Sequence, residues 1–292
     1  MVVKTEQQPN NTVVIETEGA QCIINLFGAT VTNWSINNNE VLFLSKKAHL
    51  DGSKAVRGGI PLVFPQFGTV EPPNPAHKLP QHGFARLVNW KYTPTNSDNS
   101  ASFEIDNETV KTQRPDLFEL WSYKFKLIYT VTLTAKTLQT DLQIKNLDSE
   151  AILVTPLLHT YFNIGDITKA KVKGLQYLEF VDKVDLHDEP PKESRSEVDF
   201  PKEVDRVYIG GGQCDLEVIA SDLAFKSITI KSNHLDDAVV WNPWTEKSNA
   251  LKDMHSDGYK EFCCVELGQV SAPHELQHNE DITIGQVLTV NF

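Results

Sequence analysis

From Tyr123 onward the chain alternates. Tyr123, Phe125, Leu127, Tyr129, Val131 and Leu133 take the odd positions, while Lys124, Lys126, Thr130 and Thr132 fall between them. Successive side chains of a β-strand point to opposite faces, so this period of two gives one apolar face and one mostly polar face. Leu138, Thr140, Leu142 and Ile144 repeat the pattern against Gln139, Asp141, Gln143 and Lys145. Residues 134–137 between the two runs are short enough to be a hairpin turn. Further short strands are expected at 13–16, 21–26, 41–44, 102–105, 152–157, 216–219, 227–231, 238–241, 262–267 and 282–291. They are numerous and punctuated by Gly, Pro, Asn and Asp, which predicts an all-β chain folded as an antiparallel β-sandwich.

Helices are scarce. The best candidate is 243–254, with Asn242 as cap and Pro243 at the first position. Residues 183–205 are polar and contain Pro190, Pro191 and Pro201, and are expected to form a long exposed loop system. With no long linker and no repeat, residues 1–292 are expected to form a single domain.

Charge and cysteine usage narrow the setting. Lys and Arg number 27 and Asp and Glu 39, a net charge of -12. Such a surface repels phosphate backbones and anionic membranes, so neither nucleic acid nor membrane is an expected partner. The N-terminal segment has no apolar h-region, and no apolar run is long enough to span a bilayer. Cys22, Cys214, Cys263 and Cys264 form no C-x-x-C pair and are expected to be reduced thiols in a cytoplasmic protein.

Four constellations carry possible chemistry. In RGGIPLVFPQFG, Arg57 precedes two glycines; either the backbone approaches a ligand there, or this is a tight turn into a buried strand beside a surface Arg. In LPQHGFAR, Gln81, His82 and Arg86 surround a turn glycine, a set suited to a polar ligand or to a solvated loop. Arg57 and Arg86 together could clamp a phosphate. In PLLHTYF, His159 ends an apolar strand; it is either a hydrogen-bonded core residue or a general acid. In FCCVELG, Cys264 and Glu266 face one side of the strand and Cys263 and Val265 the other. A carboxylate in such company needs a partner or a task, and partial burial would make it a stronger base.

A fifth match competes. His274-Glu-Leu-Gln-His278 fits H-E-x-x-H, the zinc-protease signature, which works only on a sustained helix. Pro273 precedes it and a strand follows at once, so a surface loop and no metal are expected. No phosphate-binding glycine loop and no G-x-S-x-G elbow occurs.

Taken in order, RGGIPLVFPQFG, LPQHGFAR, LLHTYF, VDRVY, VVWNPW and CVELG resemble the aldose 1-epimerase (galactose mutarotase-like) superfamily, and within it the hexose-6-phosphate mutarotases. The resemblance runs from about residue 20 to the C-terminus. It implies a large, distorted antiparallel β-sandwich with a few short helices and a cleft on one broad face. It also implies that the chain interconverts the α and β anomers of hexose 6-phosphates, chiefly glucose 6-phosphate, with no cofactor. His159 would be the general acid and Glu266 the general base. Arg57, Gln81 and Arg86 would hold the substrate and its phosphate, with His82 in a matching motif. Asp205 would accept hydrogen bonds from sugar hydroxyls or orient His159, and Trp241 would wall the pocket. A monomer is expected. A non-catalytic sugar-phosphate binder, a free-hexose mutarotase and a zinc protease remain alternatives.

Overall fold

The computed structural model describes residues 4–221 and 223–292. Residues 1–3 of the N-terminal segment lie outside them. The alternating runs are the strands Phe125–Leu133 and Thr137–Asn146, paired antiparallel with Leu142 opposite Tyr129. The turn closes where the Thr134 amide donates to the Thr137 carbonyl at 2.9 Å.

This hairpin lies within a nine-stranded antiparallel sheet. Asp281–Asn291 pairs with Thr137–Asn146 on one side and Ser227–Asn233 on the other. A seven-stranded sheet faces it, with Phe262–Gly268 at its centre between Asp237–Asn242 on one side and Leu157–Leu158 and Tyr161–Asn163 on the other. Residues 4–40 add a five-stranded sheet. Leu127, Tyr129, Leu142 and Leu288 of the nine-stranded sheet share one core with Leu158, Phe162, Val240 and Val265 of the seven-stranded sheet. Each such fully buried side chain stabilises by about 1.5–3 kcal/mol. The architecture is the expected antiparallel sandwich.

The far face of the seven-stranded sheet is also covered. Phe43, Tyr161, Met254, Tyr259, Phe262 and Cys264 form one small cluster there, and Val63, Leu157, Val207 and Val239 another. Every residue of Phe262–Gly268 is therefore buried, Glu266 included.

Several local expectations are corrected. Residues 41–44 form no strand; Leu42 and Leu44 make only isolated bridges, to Phe162 and Gly58. The helix expected at 243–254 is shorter, Trp244–Ala250. Asn242 still serves its start, its side-chain oxygen accepting from the Trp244 amide at 2.9 Å. It ends early because Ser45 Oγ donates to the Asp253 carbonyl and holds the following segment elsewhere. The short helices Asn107–Gln113 and Pro115–Phe118 lay in no expected position. Their signals were Asp106, whose carboxylate caps Thr109, and Pro115 at a helix start. His274–Leu276 is a strand paired with Ile152–Val154, not a loop. Its residues do not form the helix that a zinc-protease site needs.

The segment 183–205 is less free than its polarity suggests. Glu193 is buried within it and takes two hydrogen bonds from the Arg195 side chain, at 2.8 and 2.7 Å, and one from Tyr208 Oη at 2.8 Å. Its two ends are tied by the Lys183 amide donating to the Asp205 carbonyl at 2.8 Å. Burial opposes the Glu193 charge, but Arg195 and Tyr208 outweigh it and hold the carboxyl down at about 2. No helix among the described residues is long and apolar enough to cross a membrane.

A depressed carboxyl stabilises the fold above its unfolded value, and that contribution is lost as pH falls from about 4.5 toward about 2. Glu193→Ala should cost about 3 kcal/mol near neutral pH, the low end for a broken buried pair because Arg195 can reach water. Urea denaturation at pH 7 and pH 3 checks both magnitude and sign; equal losses at the two pH values would refute the ionic account.

Candidate active site

The register of the seven-stranded sheet builds the site. Leu158 lies opposite Leu267, and Tyr161 opposite Cys264. Both pairings share one register, which sets His159 opposite Glu266. Glu266 in turn lies opposite Val239, Cys264 opposite Trp241, and Trp241 opposite Asp205. Two rows thus cross the same face. One runs His159, Glu266, Val239; the other runs Tyr161, Cys264, Trp241, Asp205. This is the face on which alternation places Cys264 and Glu266.

The loops roof these rows and leave a cavity of about 390 Å³. Arg57, Gln81, His82, Arg86, His159, Asp205, Trp241 and Glu266 all line it, so the fold gathers every expected site residue into one place. His159 Nδ1 comes within 3.2 Å of Glu266 Oε1. Neither His159 Nδ1 nor Glu266 Oε2 has a hydrogen-bond partner in the protein. The imidazole stacks on Tyr161 at 4.8 Å and 8°, and meets Trp241 edge-on at 5.8 Å and 90°. Those contacts fix the ring plane.

Burial dominates the electrostatics. It pushes the Glu266 carboxyl well above its ordinary value of 4.5, and Asp205 adds to the shift; Lys183 and Arg86 oppose it. Burial also drives His159 well below 6.5, reinforced by His82, Arg86 and Arg57. His82 is pushed down to about 2 by burial and by Arg86, so it stays neutral. Its Nδ1 accepts from the Gly68 amide at 3.2 Å, which leaves Nε2–H as its donor. Burial raises Asp205 too, against Lys183 and Lys247.

The two arginines are held differently. Arg57 Nε donates to Asp253 Oδ1 and Nη1 to Tyr161 Oη, both at 3.1 Å. Burial works against this cation, but Tyr161 and Asp253 outweigh it and hold its pKa up. Arg86 Nη2 donates to the Gln81 carbonyl at 2.8 Å, and its Nε is buried without a partner. Burial, aided by Arg57, lowers it to about 10. Gln81 therefore acts on Arg86 through its backbone as well as lining the cavity.

Gly59 and Gly83 of these motifs serve the chain, whereas Gly68 lines the cavity. Gly59 has φ 66°, and a Cβ there would lie 2.0 Å from the Val31 carbonyl oxygen. Gly83 has φ 67° and would bring a Cβ within 2.1 Å of the Phe64 carbonyl oxygen. His82 beside it also sits in the left-handed region at φ 67°, which turns the imidazole into the cavity at some backbone cost.

Sequence reasoning missed Lys183, Phe67 and Asp253. Lys183 Nζ lies 4.2 Å over the Phe67 ring, and both line the cavity. Lys183 sits at the edge of the polar 183–205 segment, where nothing in its neighbours marks it. Asp253 lay inside an expected helix. Only an aromatic placed after PLLHTYF's histidine hinted at Tyr161.

A facing imidazole and carboxylate, both shielded from water and ringed by cations, are the parts of an acid–base site for a polar anionic ligand. The aldose 1-epimerase family profile matches residues 11–289. The chain belongs to the aldose 1-epimerase family. This family member is 32% identical over 287 residues to a protein from Cenchrus ciliaris provisionally named glucose-6-phosphate 1-epimerase, covering 96% of this chain and 84% of that one. A protein of Escherichia coli K12 with the same provisional name is 31% identical over 282 residues, with 95% and 90% covered. Among solved structures, a Salmonella typhimurium protein provisionally described as a mutarotase superposes with a TM-score of 0.83 at 28% identity, covering 99% of this chain and 94% of that one. The epimerase is thus an isomerase of the galactose mutarotase-like fold.

A raised carboxyl stabilises the fold fully below its unfolded value of about 4.5, and that stability drains away as pH rises through the folded value. Glu266→Gln removes the penalty while keeping the shape. The variant should be more stable than the parent by about 0.5–2 kcal/mol near pH 7.5, with the gain shrinking toward pH 4.5. Denaturant midpoints across that range test this; a variant less stable at pH 7.5 refutes it.

Proposed function

We propose that this epimerase interconverts the anomers of hexose 6-phosphates, chiefly glucose 6-phosphate, using Glu266 and His159 as its acid–base pair. The observation that carries the reading is the 3.2 Å approach of His159 Nδ1 and Glu266 Oε1 in a cavity that also holds Arg57 and Arg86. The names of the relatives point the same way.

In ring opening, Glu266 takes the proton from the C1 hydroxyl while His159 gives a proton to the ring oxygen. The C1–O5 bond breaks and leaves a free aldehyde. Rotation about C1–C2 presents its other face. Closure returns the proton from Glu266 to the new C1 hydroxyl oxygen and the O5 proton to His159. No atom is gained or lost and no electron changes hands. The pair holds one proton in excess of full deprotonation, on either member, so each arrangement is the product state of the other. Asp205 accepts from sugar hydroxyls, the His82 Nε2–H donates to the sugar, and Trp241 offers its ring to the C–H face. Lys183 supports an ionised Glu266 when substrate arrives.

The phosphate is assigned to the arginines, with unequal shares. A phosphate monoester carries close to two charges at neutral pH. Arg57 is already paired with Asp253, whereas Arg86 keeps a buried Nε with no acceptor. Arg86 is therefore the stronger anchor. One continuous core running from Val13 to Val290 supports a single domain. Four free thiols, three of them buried, support a cytosolic setting, and a monomer is the assembly to test by light scattering.

His159→Ala and Glu266→Gln should each lower kcat by about 10²–10⁴-fold, the usual share of a positioned acid or base. Exchange NMR of glucose 6-phosphate anomers measures it; near-parental turnover in either variant removes that residue from the mechanism. Arg86→Ala should weaken glucose 6-phosphate binding by about 1.5–3 kcal/mol, and Arg57→Ala by less. The comparison is kcat/KM for glucose 6-phosphate against glucose. If the parent handles both sugars equally and neither arginine alters the ratio, the enzyme acts on free hexoses and the phosphate assignment fails.

A further inference from the structure

Cys264 occupies the position beside the acid–base pair and has no part in the mechanism above. It precedes Glu266 by two residues on the Phe262–Gly268 strand, so both side chains leave the sheet on one face. One imidazole nitrogen of His159, the Cys264 Sγ and a Glu266 carboxylate oxygen all lie within 4.8 Å of one another, and all three residues are buried. On the same side chains, His159 Nδ1 and Glu266 Oε2 have no hydrogen-bond partner in the protein. Unpaired buried donors and acceptors are rare and call for a partner.

We infer that His159, Cys264 and Glu266 form an inhibitory binding site for a thiophilic divalent cation of the zinc type. The donor set decides the ion. A thiolate with an imidazole and one carboxylate oxygen suits Zn²⁺ and Co²⁺, whereas Mg²⁺ and Ca²⁺ take sets built from oxygen. A thiolate and a carboxylate neutralise a dication locally, as a buried site requires, and do so against the nearby Arg57, Arg86 and Lys183. On binding, the Cys264 S–H bond breaks, a metal–sulfur bond forms and the proton passes to solvent. The proton carried by Glu266 or His159 leaves in the same way. His159 and Glu266 line the cavity, from which a water can reach the ion as fourth ligand, while Cys264 is not part of that lining. Because thiolate ligation releases a proton, affinity climbs as pH rises. The bound ion takes the His159 nitrogen and the Glu266 oxygen that anomerisation needs, so it stops turnover. That inhibition rests on the roles proposed above for His159 and Glu266; the binding does not.

The test uses the full chain, stripped with chelator and desalted. Co²⁺ should bind in one equivalent with a thiolate-to-metal charge-transfer band. Zn²⁺ should displace it, raise the melting temperature and inhibit anomerisation, and chelator should reverse all three effects. Cys264→Ser and Cys264→Ala should lose the band and weaken Zn²⁺ binding by about tenfold or more, since even outer-shell changes cost about 10–100-fold. Inhibition is referred to each variant's own metal-free rate. Should both cysteine variants fail to fold, His159→Ala removes a donor while keeping the thiol, with the same expected loss of affinity. His274→Ala/His278→Ala, at the exposed end of the sandwich, should change nothing. No charge-transfer band, or a band that survives in the Cys264 variants, overturns the site. A band that depends on Cys264 but leaves turnover untouched keeps the site and removes His159 and Glu266 from catalysis.

Discussion

A carboxylate with 1% of its surface exposed sits at the centre of a seven-stranded sheet, facing an imidazole across one strand pairing. Most of the architecture on that side can be understood as the means of tolerating it. An isolated buried charge is expensive, and a protein accepts it only with partners or by shifting the proton. Here both happen. The Glu266 carboxyl is pushed up by burial, while Lys183 and Arg86 pull the other way. The far face of the sheet carries two small apolar clusters rather than one large one, and the cavity is lined by Val239 of one and by Trp241, which packs against both.

The same economy explains how an acidic protein keeps an anion site. With a net charge of -12, long-range attraction of a phosphate is unfavourable, so any attraction must be local. Arg57, Arg86 and Lys183 converge on one low-dielectric pocket, where screening is weak. Each is held by a different device. Asp253 and the Tyr161 hydroxyl fix Arg57, the Gln81 carbonyl fixes Arg86, and the Phe67 ring carries Lys183. Orientation is thereby set before any ligand arrives, which lowers the entropy lost on binding.

The sequence made the sandwich legible because its strands are half-buried, and half-burial writes itself as alternation. Cys264 and Glu266 were placed on one face by that rule alone, and the register bears it out. The neighbouring motifs were legible through their residue types, since Arg57, His82, Arg86 and His159 are costly to bury without a use. What alternation could not show was anything held by a few contacts from far along the chain. Lys183 owes its place to the Phe67 ring and the Asp205 carbonyl, Asp253 to Arg57 and Ser45, and the 41–44 segment to isolated bridges with Phe162 and Gly58. His274–Leu276 misled for the converse reason. Three residues are too few to display a period, and only Ile152–Val154 as a partner makes them a strand.

The proton count of the central pair ties stability to the proposed chemistry. Burial disfavours the charged forms of both groups, so the free site prefers a protonated Glu266 and a neutral His159. Ring opening as drawn needs the opposite arrangement, a carboxylate and an imidazolium, which contains the same number of protons. Relocating one proton between the two groups, 3.2 Å apart, therefore interconverts the resting and reactive forms with no net exchange with solvent. A sugar whose hydroxyl reaches Glu266, with Lys183 and Arg86 near by, favours the ionised carboxylate. The carboxylate in turn favours the imidazolium beside it. Because ring closure on the other face ends with the proton count it began with, neither anomer is privileged by the enzyme. A site built this way accelerates approach to equilibrium from both sides, and its low tolerance for charge when empty is the condition that keeps the pair ready for either direction.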